Sequence, residues 1–537
     1  MKALIVHPEF PITYWGYQYS MKLAGKKAAL PPLGLLSFAA LLPDNWNLRL
    51  IDLNVEPLRD EHFEWADTVF LGGMHIQNPS MREVMQRAKG HDLRTVVGGP
   101  GPTTADDCDY EAADVVFKGE LEGRVDELLA VLEEPGRHII AEAEGYPDLN
   151  EVPLPRYDLL DLSVYASVGV QYSRGCPFKC EFCDIIEIFG RVPRVKSTTQ
   201  VLAELDLLYR SGYRGSLFFV DDNFIGNAPA VLKMLPKLTA WQKARDFPYQ
   251  LYTEASLNLA SNDALVDGML EAGFTTVFLG IETPSRESLI ETGKTQNLRM
   301  DLSEAIERLT RKGMELMGGF IVGFDNDTEE VFDLQREFIN GSPIPQAMVG
   351  VLTALPGTAL YRRLEREGRL RAPGTGDQFD RPNFEPVMDE ATLISKYNEL
   401  MQSIYSQDAY YDRCEALLER SPRTARRRRP ALADLMILVR TLWWVGVVSP
   451  RRRRCWRLLR KTLRQAPHAF AWAVAQVVKG EHLIRYTAEH VVPRLELAYA
   501  EVNLQRATAP ADSQRPALSA GVLASSDPPP ALSEAAR

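Results

Sequence analysis

Cysteine is scarce in this chain, with six residues in 537. That is too few to staple a secreted protein of this size, so a disulfide scaffold is excluded. Long apolar runs are scarce as well. The N-terminus offers four apolar residues in a row, 3–6, before His7 and Pro8. A signal peptide needs a longer core, so the run reads as a first buried strand, and a cytoplasmic protein is expected. Residues 431–450 approach the length of a membrane span, but Asp434 and Arg440 interrupt them and arginine runs lie on both sides. That arrangement runs against the usual topology bias. Residues 506–537, rich in Ala, Pro and Ser and without an aromatic from 508 onward, are expected to be a disordered tail.

Among what is present, the charge is unevenly spread. The net charge is −11, yet residues 423–461 hold thirteen Lys or Arg against one acid, Asp434. A local basic surface on an acidic protein points to a local anionic partner. At this length two or three domains are expected. Over residues 1–145, short β-branched or leucine-rich runs (3–6, 48–53, 68–72, 95–97, 115–117) alternate with helical patterns at 33–42, 80–89 and 122–132. The order argues a doubly wound, Rossmann-like parallel sheet. Several strands end in glycine: Gly72, Gly73, Gly98, Gly99 and Gly119. Ligands of such sheets bind beyond the carboxyl ends of the strands, where glycine lets backbone come close. A proline-bearing linker, 146–166, leads to a second α/β series at 167–375 with six strand candidates, 168–172, 216–220, 249–253, 276–280, 317–322 and 348–352. Six strand–helix repeats suggest a partial (β/α)6 barrel of the TIM type, with its active site on the loops after the strands. Residues 376–505 read as a helical, basic region.

Three of the six cysteines, Cys176, Cys180 and Cys183, fall within SRGCPFKCEFCDI at spacing C-x3-C-x2-C. Thiolates are soft ligands suited to iron–sulfur clusters, and three of them leave one iron of a cubane open. A zinc site would want a fourth Cys or His close by, and none lies within twenty residues on either side. The motif directly follows the first barrel strand, with Phe182 before its last cysteine. It is similar to the signature of the radical S-adenosylmethionine (SAM) superfamily. The resemblance implies a 4Fe–4S cluster whose open iron is chelated by the amino and carboxylate groups of SAM, and whose electron releases a 5′-deoxyadenosyl radical.

The same resemblance assigns SAM contacts to other strand ends. Asp221 and Asp222 in FVDDNF occupy the place of an acidic or Gly-Gly-Glu segment that pairs with the methionine ammonium. Glu254 in YTEAS and Glu282 in FLGIET extend that rim, and GFIVGF, with Gly319, Ile321 and Gly323, resembles an adenine-stacking segment. Each acid alone also reads as a solvated loop carboxylate; their repetition on one rim favours the pocket. Arg191 and Arg194 suit either a carboxylate contact or plain surface.

An α/β domain ahead of such a barrel resembles the cobalamin-binding module of the methylating radical SAM enzymes. VGGPGPT would match its corrin-facing loop, and FKGELEG, with Gly119 and Glu120, its glycine–glutamate turn. The chain departs from that pattern in lacking D-x-H-x-x-G, the signature of a histidine ligand to cobalt; His7 has the wrong neighbours, and His75 in GGMHIQ reads as a loop histidine. PPLGLLSFAALLP, CEFCDIIEIFGRVP, VDDNFIGN and DAYYDRCEALLER together resemble the group that includes the hopanoid methylases, with its helical C-terminal extension.

The resemblance implies a cobalamin-dependent C-methyltransferase acting on an unactivated carbon of a lipid or isoprenoid, fed by ferredoxin or flavodoxin. One alternative is a radical enzyme without cobalamin that cyclises, couples or rearranges its substrate. Another is a tRNA methylthiotransferase, which would want a second cysteine cluster where only Cys108 stands; nucleic acid is therefore not the expected partner. Trp443 and Trp444 suit an interfacial helix making peripheral membrane contact through 423–461. A helix packed on the barrel with a solvated arginine face is the competing reading. Cys414 and Cys455 read as ordinary thiols.

Overall fold

The computed structural model describes residues 1–105, 110–371, 376–421 and 432–508. Cys108, the first arginine run at 426–429 and the tail from 509 lie outside them. The first sheet holds β1 (Lys2–His7), β2 (Asn47–Asp52), β3 (Thr68–Gly72), β4 (Arg94–Gly98), β5 (Val115–Phe117) and β6 (His138–Ile140). They are parallel, in the order β2-β1-β3-β4-β5-β6. Runs such as ALIV are buried without alternation, as strands covered by helices on both faces require. The sequence pattern anticipates five of these strands. It misses β6, an edge strand of three residues with Ile139 facing solvent, too short to carry a periodic signal.

The second sheet is a half-barrel. Its strands are β7 (Ser167–Val170), β10 (Gly215–Phe219), β11 (Tyr249–Ala255), β12 (Phe274–Glu282), β13 (Glu315–Val322) and β14 (Gln346–Val351). Each pairs in parallel with the next, and β7 and β14 are left as edges, so the barrel is open. All six coincide with the sequence expectation to within a few residues. A two-stranded antiparallel ribbon, β8 (Ser173–Arg174) and β9 (Arg194–Val195), brackets the cysteine loop. The expected linker is ordered into three short 3-10 turns: Tyr157 donates its hydroxyl to Gly169 O at 2.7 Å, and Tyr165 donates to Asp52 at 2.8 Å.

The helical region closes what the barrel leaves open. The helix Glu390–Ile404 lies along β14, where Tyr397 donates to Val349 O at 2.7 Å and, just past its end, Tyr405 donates to Ala347 O at 2.6 Å. Covering a strand edge in this way removes a site for unwanted pairing. The helix Phe470–Tyr486 covers the start of β13, with Trp472, Gln476 and Lys479 all turned to Glu315. The last helix runs to Thr508, so order extends past the expected boundary at 505. The stretch expected as one interfacial helix is divided: the α-helix Leu432–Trp443 passes into a π-helical turn at Trp444–Val448.

Among the described residues Arg413 is the largest fully buried side chain. It donates to Ile344 O at 2.9 Å, Pro345 O at 3.3 Å and Asn340 at 2.9 Å, fixing the loop into β14. Removing it strands three acceptors. Arg413→Ala should cost about 3 kcal/mol of stability, read as a lower urea midpoint; an unchanged midpoint would refute this role.

Candidate active site between two parallel sheets

The carboxyl ends of the two sheets face each other. Arg174, at the end of β8, pairs with Glu120 and with Glu122 (2.8 Å), both just past β5, and Arg194 on β9 reaches Glu120 at 2.5 Å. The short helix Pro100–Thr104 after β4 packs on the short helix Ile185–Ile188 after the cysteines. Asp184, whose carboxyl burial pushes up, feels the imidazole of His75 across the same gap.

The cysteine loop is held from several directions. Gly175 has φ +93°, and a Cβ there would lie 2.8 Å from Gly190 O, so only glycine fits. Cys176 N donates to Gly190 O at 3.2 Å, Glu181 N to Thr292 O at 2.9 Å, and Arg363 clamps Glu181 at 2.7 Å. No disulfide ties the three thiols. Burial raises the pKa of Cys180 and Cys183. Asn223 Nδ2 points at Cys176 Sγ from 3.7 Å and Gln296 Nε2 at Cys180 Sγ from 3.8 Å. Such donors tune a cluster's potential. The sequence reading misses both: Asn223 adjoins the acidic pair it singles out, whereas Gln296 lies over a hundred residues from the cysteines and carries no signal.

The acids expected at the rim divide. Asp221 is fully buried and its carboxylate is taken up by Ser173 and the backbone N–H of Tyr172, so it shapes the loop and does not face a ligand. Asp222 and Glu254 lie beside it; the Arg174 guanidinium acts on Asp222 from a distance, and neither acid forms a salt bridge with a described residue. Burial first, then Asp184, lifts Asp222 to about 6; burial, then Asp222 and Asp221, lifts Glu254 to about 8. Glu282 departs from expectation: at φ +65°, in a strand irregularity of β12, its carboxylate pairs with the buried Lys294. Burial alone would lower the Lys294 pKa, but Glu282 and the Cys180 thiol outweigh it and hold the proton. Lys294 also lies 5.9 Å from the Phe182 ring.

Phe182, Glu282, Gly319 and Ile321 line a cavity of about 260 Å³, together with Trp15, Phe278, Phe320 and Met348. Gly323 does not join them; at φ +98° it turns the chain and donates its N–H to Asp327 at 2.9 Å. Trp15 comes from the segment after β1, and no pattern in the sequence marks it. Arg191 is exposed at Pro177 O.

On the opposite side, Gly72, Gly73, Gly98, Gly99 and Gly119 gather at the ends of β3, β4 and β5. Gly101 N donates to Gly73 O at 2.9 Å and Gly119 N to Thr103 at 3.0 Å. Cβ atoms on Gly99 and Gly101 would lie 3.3 Å and 3.1 Å from Gly73 O, so this shelf must be bare backbone. Glu120 is a correction to the expected corrin turn: held by two arginines, it joins the domains. His7 is structural, bonded to Asp52 at 3.0 Å, and His75 spends Nε2 on Thr104 at 2.6 Å.

These residues fit the implied groups. Soft thiols on one loop suit an iron–sulfur cubane, and a glycine shelf suits a flat macrocycle. Among the described residues no three His, Cys, Asp or Glu side chains converge as one metal ion requires. In a cubane each thiolate binds its own iron.

Comparison with known proteins agrees. Residues 25–129 match a B12 binding domain, 170–338 the radical SAM superfamily, and 358–494 a domain of unknown function, DUF4070. Over 525 residues the chain is 35% identical to the hopanoid C-2 methylase of Rhodopseudomonas palustris, covering 95% of this chain and 98% of that one. The chain belongs to the B12-binding radical SAM methyltransferase family. It is also 39% identical to the uncharacterized methyltransferase sll1242 of Synechocystis, over 90% of this chain and 92% of that one. The radical SAM methyltransferase TsrM of Kitasatospora setae, solved with cobalamin and a 4Fe–4S cluster, shares the fold at TM-score 0.55 and 16% identity, over 88% of this chain and 99% of that one. The cobalamin-dependent enzyme OxsB does so at TM-score 0.56 and 16% identity, over 94% and 84%. The protein is thus a cobalamin-dependent radical SAM methyltransferase, which sets aside the cobalamin-free and methylthiolating alternatives.

In the unfolded chain a glutamate ionises at about 4.3, whereas Glu254 keeps its proton to about 8 in the fold. The folded state therefore binds more protons in that interval, and apoprotein stability should fall as pH rises through it. Glu254→Gln should flatten the difference in thermal midpoint between about pH 5 and about pH 8. An undiminished difference would contradict the burial of this carboxyl.

Proposed function

We propose that this methyltransferase adds a methyl group to an unactivated carbon of an apolar polycyclic isoprenoid of the hopanoid kind. The observation that carries this reading is the cavity wall of Trp15, Phe278, Phe320 and Met348 beside the cysteine loop. A hydrocarbon skeleton offers nothing to hydrogen-bond, so it is held by shape and burial against such a wall. The 35% identity to the hopanoid C-2 methylase of R. palustris supports the same reading.

Cys176, Cys180 and Cys183 ligate the cluster in this reading. Asp222 and Glu254 take the SAM ammonium, whose charge would release their protons. Phe182, Gly319 and Ile321 would hold the adenosine, and Gly73, Gly99 and Gly101 would support the corrin. Bound there, the cluster and SAM supply the radical and cobalamin the methyl group. The protein's part is to align these groups and keep water out. A ferredoxin or flavodoxin supplies electrons, and the protein works in the cytoplasm, at the membrane surface where such a substrate dissolves.

Cys180→Ala should abolish both the cluster's visible absorption and 5′-deoxyadenosine formation; survival of either overturns the ligand assignment. Gly99→Val should lower retention of hydroxocobalamin on gel filtration while leaving the cluster band intact, and full retention would contradict the corrin shelf. Trp15→Ala should raise KM for a hopene about tenfold or more, as loss of a buried aromatic contact does, with SAM cleavage preserved. An unchanged KM would remove Trp15 from the substrate wall.

A further inference from the structure

The helix Leu432–Trp443 and the π-turn after it leave an apolar stripe in solvent. Leu435, Val439, Trp443 and Val447, spaced four residues apart, are between 52% and 59% exposed, and Trp444 and Val448 widen the stripe to the same degree. Four residues is close to one helical turn, so the stripe runs along one face for three turns. Two adjacent tryptophans, more than half exposed and covered by none of the described residues, make this more than scattered surface hydrophobicity.

The chain then turns at Ser449 and Pro450 into the helix Arg452–Gln465, tied back by Trp456, whose indole donates to Gly446 O at 2.9 Å. Its inner face buries Cys455, Leu458 and Leu459. Arg457 and Lys461 turn to Glu415. Arg452, Arg453, Arg460 and Arg464 are exposed, and none is ion-paired to a described residue. An apolar stripe with tryptophans, followed by a helix of exposed guanidinium groups, is complementary to one environment, the interface of a bilayer carrying anionic headgroups. Among the described residues no helix is long and apolar enough to cross a membrane, so a bilayer would be met by this face lying on its surface.

We infer that Leu435–Val448 and the arginines of the next helix form a docking face for an anionic lipid bilayer. The face is joined to the active site by the chain itself. The helix Leu432–Trp443 packs on the helix Gln18–Ala24, and Arg440 lies against Gly25. The residues just before that partner helix are Trp15, which lines the cavity, and Tyr17, which bonds Gln346 at the start of β14 at 2.6 Å. Docking places the bilayer next to the segment that forms the cavity wall. Its use, receiving a substrate dissolved in the membrane, rests on the apolar-substrate reading above; the face itself rests on the stripe and the arginines.

The test uses the full-length holoenzyme and sedimentation with vesicles of equimolar phosphatidylglycerol and phosphatidylcholine, against phosphatidylcholine alone. The wild type should bind the anionic vesicles and release as salt is raised. Val439→Asp with Trp443→Ser should lower that binding about tenfold or more, and Arg452→Glu with Arg453→Glu should remove the preference for anionic lipid. All variants should keep 5′-deoxyadenosine formation, since none of these residues lines the cavity, and this shows that they fold. Failure of the wild type to bind, or equal binding by the apolar double variant, overturns the inference. So does light scattering that shows the stripe covered in a dimer that the double variant dissociates. Methylation of a detergent-dispersed hopene, measured without vesicles, separates the two proposals: its absence counts against the substrate reading, and loss of vesicle binding counts against the docking face.

Discussion

The structure depends on the ion-pair knot between the two sheets, in which Arg174 and Arg194 grip Glu120 and Glu122. All four charges are largely withdrawn from water, where an unpaired member would be costly. The knot therefore has a strong preference for one arrangement, and that arrangement turns both sets of strand ends toward a shared space. Everything functional follows from it. The glycine shelf of the first sheet looks across at the cysteine loop of the second, which is the arrangement the proposed methyl transfer requires. Two separate α/β domains on a flexible tether would bind the same groups and bring them together only by chance.

The barrel's openness is the second constraint. Six strands do not close a cylinder, and the free edges would expose a row of backbone groups. Tyr397 and Tyr405 occupy carbonyls of β14, Arg413 fixes the loop that leads into it, and Glu315 gathers three donors from a single C-terminal helix. The helical region is thus part of the barrel's construction. It also carries the exposed stripe, which places a surface property and the integrity of the catalytic domain on the same helices.

Much of this was legible in the amino-acid order. Strands covered on both faces leave continuous apolar runs, and a cluster loop leaves three cysteines at fixed spacing, because those requirements are local in the chain. What escaped is what arises between distant segments. Glu120 looked like a ligand-facing turn residue, and only the approach of Arg174, more than fifty positions later, makes it an interdomain anchor. Asp221 and Asp222 are neighbours with the same side chain, yet in the loop after β10 one turns into a net of donors from Tyr172 and Ser173 and the other stays at the rim. Lys294, Gln296 and Trp15 reach the site from loops that no periodicity marks. The positive φ of Glu282 follows from a strand irregularity that composition does not reveal.

The central claim is that the glycine shelf, proposed to hold cobalamin, and the cysteine loop, proposed to hold the cluster, face one another, and electron paramagnetic resonance of the holoenzyme tests it directly. With cobalt in the Co(II) state, the account predicts that reducing the 4Fe–4S cluster broadens the cobalt signal by dipolar coupling between neighbouring spins. A cobalt signal unchanged in width by cluster reduction would place the two cofactors in separate compartments and contradict it.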